Sequence, residues 1–438
     1  MDKYRIIGGT PLVGEVEISP SKNAAVAIIP ACILADGPCI VDKIPDITDV
    51  EVEFDILRKL GATVDKLDDD TVKIDCTGIN TVQCDIDLVR QMRASYYFMG
   101  AMLGKYKKIS TAYPGGCPIG NRQEGLKGIN YHVEAFEALG AKLTYHSYTT
   151  GEITFETPGL KGNEIILATP SVGATINIML AAVKAEGTTV IKNAAREPHV
   201  TAVANFLIQM GANIKNAGTD VITIIGVNSL KGANCEIIPD QIEAGTYMIM
   251  AAATGGDIVV KNIVKEHMES LTKTLKIMGV GVEEAIENVV ENGIPTVKEY
   301  IRVYKKGNIK GTVITTAPYP GFPTDLQSIL ATLLCISEGV SNIVEVVTGA
   351  RFAYARELEK MGAKITVSEI TATINGVREL SGANVVTTDL RAGAALVVAG
   401  LCANGETLIS QIHYIDRGYE NLVGKIRKLG GNIERIKE

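Results

Sequence analysis

A cysteine stands among glycines and prolines in the segment TAYPGGCPIGNR, residues 111–122, and an arginine follows five positions later. Structural cysteines sit among aliphatic residues and behave as small hydrophobes. Cys117 has no apolar run around it, so its thiol is expected to be accessible. A cation such as Arg122 favours the thiolate and makes it reactive. The backbone N–H groups of a glycine-rich loop also suit an anion. The segment therefore reads as a reactive thiol beside an anionic substrate.

Charged and polar residues recur at one other kind of place, the start of strongly apolar helical stretches. These starts are Ser21-Lys22-Asn23, Arg93, Ser171-Val172-Gly173, Asp240 with Glu243, Thr324-Asp325, and Asp389 with Arg391. Helix N-termini carry unpaired N–H groups and partial positive charge, which suits an anion. Ser, Thr and Asp are also ordinary N-caps, and for Ser171 and Thr324 capping explains the residue as well as ligand contact does. Lys22, Arg93 and Arg391 cannot cap, and they oppose the helix dipole. An anionic ligand accounts for them, as would salt bridges to Asp389, Asp240 or another capping carboxylate. Two further segments stand out: APYPGFPTDLQ, whose three prolines give Asp325 a rigid approach, and IDRGYE, which sets Arg417 between an acid and a glycine.

The elements that must hold these residues repeat six times. A helix ending in Leu/Met-Gly-small recurs at Gly61, Gly140, Gly211, Gly279, Gly362 and Gly430. Glycine at such an end suits the left-handed C′ position. Alternating apolar residues usually follow, as in AKITVSEITATI, and read as a two-stranded hairpin. Upstream of each marker lies a second helix, apolar on all sides and hence fully buried. These are expected over Ala24–Leu34, Ala94–Leu103, Ala174–Ala185, Ala244–Ala253, Leu326–Ile336 and Ala392–Cys402. The expected architecture is α/β, with two domains of three units each. The first covers residues 22–238. The second covers 1–21 and 239–438, closed across the termini. The helix starts would then gather in a cleft between domains, a common place for ligands. A solenoid is the alternative, but a repeat of about 70 residues is long for one and neither terminal unit looks like a polar cap.

Composition narrows the function. The 438 residues exceed one ordinary core, and 46% of them are hydrophobic. With no Trp and 5% aromatics, the cores must be aliphatic. A net charge of −7 argues against a general nucleic-acid or anionic-membrane binder. The eight cysteines show neither CxxC nor Cys/His clustering, so neither a disulfide framework nor a zinc site is expected. Cys32, Cys335 and Cys402 read as core. MDKYRIIGG is not a signal peptide, and the apolar runs are short of a membrane span, which fits the cytoplasm.

The motifs SPSKNAA, MRAS, PGGC-x-IG-x-R, SVGAT, NAAREP, IPD-x-IE-x-GT, AP-x-P-x-FPTD, TDLRA and IDRGYE occur in this order from about residue 4 onward. The chain resembles the UDP-N-acetylglucosamine 1-carboxyvinyltransferase family of enolpyruvyl transferases, which opens peptidoglycan synthesis. The resemblance implies the two-domain inverse α/β barrel of six repeated units. It implies transfer of the enolpyruvyl group of phosphoenolpyruvate to the 3′-hydroxyl of UDP-N-acetylglucosamine, with no metal or organic cofactor. Lys22, Arg122 and Arg417 would hold the phosphate, with Arg351 and Arg391 on the carboxylate side. Asp325 would be the general base. Cys117 would act in acid catalysis and as the target of fosfomycin. Asn23, Arg93, Arg122, Asn130, Asp325 and Val347 would meet the sugar nucleotide, with Ser171, Val172 and Gly173 beside it. Arg93 would link binding to domain closure.

Two departures fall on the acceptor side. The family's Arg-Pro-hydrophobic-Asp-x-His is here the longer stretch from Arg122 to His132, with Asn130 at the Asp position. The family's Phe-Glu-Asn before Arg351 is Thr348-Gly349-Ala350. A transferase acting on another nucleotide or nucleotide sugar therefore stays open. So does a non-catalytic sugar-nucleotide-binding paralogue, although retention of Cys117, Asp325 and the cations argues against it.

Overall fold

The computed structural model describes residues 2–116, 128–291 and 294–437. Cys117, Arg122 and the first part of the longer acceptor-side stretch lie outside the described residues. The chain divides into two compact units. One holds residues 20–116 and 128–238, the other 2–19 and 239–437.

In the first unit, three sheets surround buried helices. The first sheet runs Asn234–Glu236, Cys39–Asp42, Val72–Asp75, Thr63–Lys66. Its edge strand comes from the end of this unit's chain and pairs parallel, Asn234 opposite Ile40. The second runs Lys108–Ala112, Glu152–Glu156, Lys142–His146. The third runs Asn213–Lys215, Val221–Ile225, Thr188–Lys192, Glu164–Ile166. Strand Val72–Asp75 alternates buried and half-buried residues, as a strand with one face on the core must.

The second unit is built from the same parts. Its sheets run Gly281–Glu291, Ile294–Tyr304, Asp257–Lys261, Val13–Glu17; Val313–Thr315, Val340–Val344, Thr371–Asn375, Lys364–Ser368; and Asn384–Val386, Glu406–Ser410, Lys3–Ile7, Asn432–Ile436. The strand Lys3–Ile7 lies between the last two strands of the chain, Tyr4 opposite both Ile409 and Arg435. The two termini thus share one ladder. The hairpin of Gly281–Glu291 and Ile294–Tyr304, eleven residues on each side, is far longer than its counterparts. Nothing in the residue pattern announced that length.

The six marker glycines all have positive φ, between 88° and 108°. At Gly61 a Cβ would also lie 2.7 Å from the Gly78 carbonyl oxygen, so both backbone angle and space require glycine.

The buried helices run Lys22–Ala31, Tyr97–Tyr106, Val172–Ala182, Gln241–Thr254, Thr324–Cys335 and Leu390–Cys402. Five of them start two or three residues earlier than their apolar pattern suggests, and in four of the five a capping side chain sets the start. Ser21, Ser171 and Asp389 cap three of them through side-chain oxygens, which draws Lys22, Val172 and Arg391 into the first turn. In place of a helix from Ala94 there is a 3-10 turn over Ala94–Tyr96 and then the helix. Cys32 and Cys335 are buried as expected, but Cys402 is only half-buried at its helix end. Among the described residues no helix is long and apolar enough to cross a membrane.

Small residues let these helices meet. Tyr97–Tyr106 packs on both Lys22–Ala31 and Val172–Ala182. At Gly100 a Cβ would stand 2.5 Å from the Asn177 carbonyl oxygen, and the Gly100 N–H donates to Asn177 Oδ1 at 2.8 Å. Alanine is the better helix former by roughly 1 kcal/mol, yet forcing these backbones apart costs typically about 1–3 kcal/mol. Gly100→Ala is therefore expected to lower the urea midpoint of unfolding; a midpoint at or above wild type would refute the close approach.

Candidate active site

In the second unit, three buried helices pack against one another in every pair: Gln241–Thr254, Thr324–Cys335 and Leu390–Cys402. Asp325 sits in the first turn of Thr324–Cys335, with 29% of its side chain exposed. Its Oδ1 accepts from Arg351 Nη1 at 2.8 Å. Its Oδ2 accepts from Arg391 Nε and Nη2 at 3.2 and 3.1 Å. One carboxylate thus holds two guanidinium groups, and the arginine residues are only 5% and 3% exposed. Arg391 lies in the first turn of Leu390–Cys402, where the dipole disfavours a cation. Burial would lower its pKa, but Asp325, Tyr419 and Asp240 raise it overall, so the cation persists. The guanidinium lies 5.7 Å from the centre of the Tyr419 ring, whose hydroxyl meets Thr246 Oγ1 at 2.9 Å.

The segment after strand Val340–Val344 is held by an acid that the residue pattern did not flag. Glu345 is fully buried and accepts from Thr316 Oγ1 at 3.0 Å and Thr324 Oγ1 at 2.8 Å. It also accepts from the backbone N–H groups of Val347 and Thr348, both at 2.9 Å. Thr324 therefore spends its hydroxyl on Glu345 rather than on a cap, and Pro323 stands at the N-cap position. The same carboxylate fixes the exposed Val347 and, through Thr348, leads the chain to Arg351.

Asp240 caps its helix, accepting from Ile242 and Glu243 N–H at 2.7 and 3.0 Å. Glu243 faces inward, not toward a ligand. It accepts from Ser19 N–H at 2.6 Å and from Lys425 Nζ at 2.7 Å. Burial pushes its carboxyl up to about 7, against the lowering effect of Lys425. Arg417 is half-buried at the end of the turn His413–Asp416, where Asp416 is tied to Arg435 at 3.1 and 3.0 Å.

In the first unit, Lys22 opens the helix Lys22–Ala31 and pairs with Asp49 Oδ2 at 2.8 Å. Asn23 is half-buried beside it. Arg93 donates to the Gly128 carbonyl at 3.2 Å and lies 6.0 Å from the Tyr96 ring centre. Tyr96 packs on the His132 ring at 4.8 Å. Both crowd Gly173, where a Cβ would lie 2.8 Å from the Tyr96 hydroxyl oxygen and 3.2 Å from His132 Cε1. Ser171 caps the helix Val172–Ala182 by accepting from Ala174 N–H at 3.3 Å. Val172 is half-buried, and Asn130 is exposed at the start of the helix Asn130–Ala138. Lys22, Asp49, Arg93, Ser171 and Gly173 thus occupy helix starts of one unit, and Asp325 and Arg391 those of the other, with Arg351 in the segment before the helix Tyr354–Lys360.

Sequence matching decides the family. The chain matches the family described as EPSP synthase (3-phosphoshikimate 1-carboxyvinyltransferase) over residues 6–426. The chain belongs to the enolpyruvyl transferase family. It is 49% identical over 438 residues to UDP-N-acetylglucosamine 1-carboxyvinyltransferase 3 of Caldanaerobacter subterraneus subsp. tengcongensis, covering 100% of both chains. It is 49% identical over 437 residues to the UDP-N-acetylglucosamine 1-carboxyvinyltransferase of Clostridium botulinum, again covering 100% of each. Among solved structures, the enolpyruvyl transferase NikO from Streptomyces tendae shares the fold with a TM-score of 0.87 at 24% identity, covering 100% of this chain and 99% of that one.

Of the anticipated residues, the structure joins Asp325, Arg351 and Arg391, and brings Gly173 to His132. Asp49, Tyr96, His132, Glu345 and Tyr419 were not anticipated. Asp49 reads as an ordinary first-turn acid, favoured by the helix dipole, and Glu345 follows an ordinary strand. Only a partner across space reveals either.

His132 carries a testable consequence. The Asn177 amide oxygen is occupied by Gly100 N–H, so its Nδ2 faces His132 Nδ1 at 3.0 Å as the donor. The ring is therefore neutral, with its proton on Nε2. Burial, reinforced by Arg93, pulls its pKa down to about 3. An unfolded histidine titrates near 6.5. Its contribution to stability is thus complete above about pH 6.5 and is lost as pH falls toward 3. Relative to His132→Gln, wild type is expected to lose about 1–2 kcal/mol between pH 7 and pH 5, read from paired urea titrations. A pH-independent gap would mean that the folded protein protonates this ring.

Proposed function

We propose that the protein transfers the enolpyruvyl group of phosphoenolpyruvate to the 3′-hydroxyl of UDP-N-acetylglucosamine with release of phosphate, the first committed step of peptidoglycan synthesis. The observation that carries this reading is the Asp325 carboxylate held between Arg351 and Arg391 in a chain of this family. Phosphoenolpyruvate bears a phosphate and a carboxylate, and guanidinium forks match both. The reading places Arg351 and Arg391 on the substrate carboxylate and Lys22, Arg122 and Arg417 on the phosphate. When an anion takes the guanidinium donors, lone pairs on Asp325 become available to the sugar hydroxyl. Asp325 then removes that proton as the oxygen bonds to C2 and C3 gains a proton. In the second step C3 gives up a proton, the C2–O bond to phosphate breaks, and the enol ether is restored. Cys117 serves as the acid and as the site of fosfomycin alkylation. Asn23, Arg93, Asn130, Ser171, Val172, Gly173 and Val347 serve the sugar nucleotide.

The same reading takes the six sheets as one unit repeated, three to a domain, in the inverse α/β barrel arrangement, and puts the enzyme in the cytoplasm. The exposed Asn130 and the Thr348-Gly349-Ala350 segment favour a second reading, with another nucleotide or nucleotide sugar as acceptor. Asn can donate as well as accept, so it reads a base edge differently from a carboxylate.

Three measurements test the proposal. Phosphate release from phosphoenolpyruvate is expected with UDP-N-acetylglucosamine; release only with another nucleotide selects the second reading, and release with none overturns both. Asp325→Asn is expected to fold and to lower kcat by roughly 10²–10⁴-fold, the scale of a lost general base. Fosfomycin is expected to add to Cys117, as mass spectrometry of the digested protein would show; labelling elsewhere would remove Cys117 from this role.

A further inference from the structure

Behind the Lys22–Asp49 pair stands a second acid. Asp49 and Glu53 lie four residues apart on the helix Thr48–Leu60 and so on one face of it. That face is inward: Asp49 is 3% exposed and Glu53 0%. Among the described residues, neither Glu53 carboxyl oxygen has a hydrogen-bond partner. An ionised carboxylate buried in this way is prohibitively costly, so the group takes a proton instead. Burial, then the charge of Asp49, raise its pKa well above the usual carboxylate range, with Lys22 opposing. Among the described residues, the phenol of Tyr97, on the helix Tyr97–Tyr106, also feels the charges of Glu53 and Glu197. Glu53 is therefore one member of a pair of acids facing a single cation.

We propose that Glu53 is a positioning residue for Lys22: Asp49 and Glu53 share one proton, kept on Glu53, so that the Lys22 ammonium meets one negative charge and stays available to an anionic substrate group. Two ionised carboxylates would over-neutralise Lys22. None would leave it to find another partner and orientation. Two acids and one proton hold the count at one, because like charges so close push their titrations apart. If Asp49 loses its charge, Glu53 gives up its proton and takes over the lysine. The part that concerns substrate rests on the assignment of Lys22 to the phosphoenolpyruvate phosphate.

The test is steady-state kinetics with both substrates varied, on Glu53→Gln, Asp49→Asn and the double variant. Glu53→Gln, a neutral replacement for a neutral group, is expected to stay within about twofold of wild type in kcat and in KM for phosphoenolpyruvate. Asp49→Asn raises that KM, and adding Glu53→Gln to it raises KM by a further tenfold or more, about 1.4 kcal/mol. KM for the sugar nucleotide stays unchanged. A tenfold loss in Glu53→Gln alone would mean that the ionised form is the working one. Effects that simply multiply would mean that Glu53 does not act through Lys22. Either overturns the proposal.

A second readout locates the proton without turnover. Glu53 retains a proton on folding that the unfolded chain gives up above about pH 4.5, so wild type loses stability relative to Glu53→Gln as pH rises from there. A gap in melting temperature that widens between pH 5 and pH 8 is expected, and it is expected to vanish in the Asp49→Asn background. A flat gap in the Asp49 background overturns the proposal. If Gln does not fold, Glu53→Met gives the same comparisons. Absence of phosphoenolpyruvate-dependent phosphate release in wild type would overturn the substrate assignment alone, while the melting series still decides where the proton resides.

Discussion

One carboxylate shared by two buried guanidinium groups constrains everything around it. Arg351 and Arg391 are nearly inaccessible, and charges so placed are tolerable only with well-aimed partners. Asp325 supplies those partners at 2.8 and 3.1 Å. Its position is set in turn by Glu345, which takes the Thr324 hydroxyl and the backbone leading to Arg351. Asp389 caps the helix that bears Arg391, so the backbone beneath the guanidinium is fixed as well. The neutralising partner is also the group proposed to remove the substrate proton. On that proposal, binding an anion and freeing a base are one event.

The same economy appears in the unit that carries Lys22. There a lysine pairs with Asp49, with Glu53 behind it. In both units a cation at a helix start opposes the dipole, and in both an acid on a neighbouring element offsets that cost. Capping by Ser21, Ser171, Asp240 and Asp389 then satisfies N–H groups that would otherwise compete for the same acids.

Much of this was legible in the residues. The six Leu/Met-Gly-small endings marked real helix ends because only the left-handed conformation allows the turn, and glycine adopts it freely. The all-apolar helices were visible from composition, but their starts were not, because a capping side chain outranks the apolar pattern. Asp325, Arg351 and Arg391 could be named, yet not their mutual pairing. Salt bridges and an anionic ligand predict the same residue types, and only the distances show the bridges. Glu53 and Glu345 were invisible, since a buried polar residue is identified by what surrounds it and not by its neighbours in sequence, and the motif IDRGYE did not show that its Tyr419 ring meets Arg391. The long hairpin of Gly281–Tyr304 was equally silent: alternation continues along any exposed ribbon, and nothing in it sets a length.

The central claim is that Asp325 occupies the arginines until an anion takes them. Isothermal titration of phosphoenolpyruvate into wild type and Asp325→Asn tests it directly. Removing the competing charge should leave the dissociation constant unchanged or tighter, whatever happens to turnover. Binding weaker by tenfold or more would mean that Asp325 helps to hold the substrate, and that the two arginines were never waiting for it.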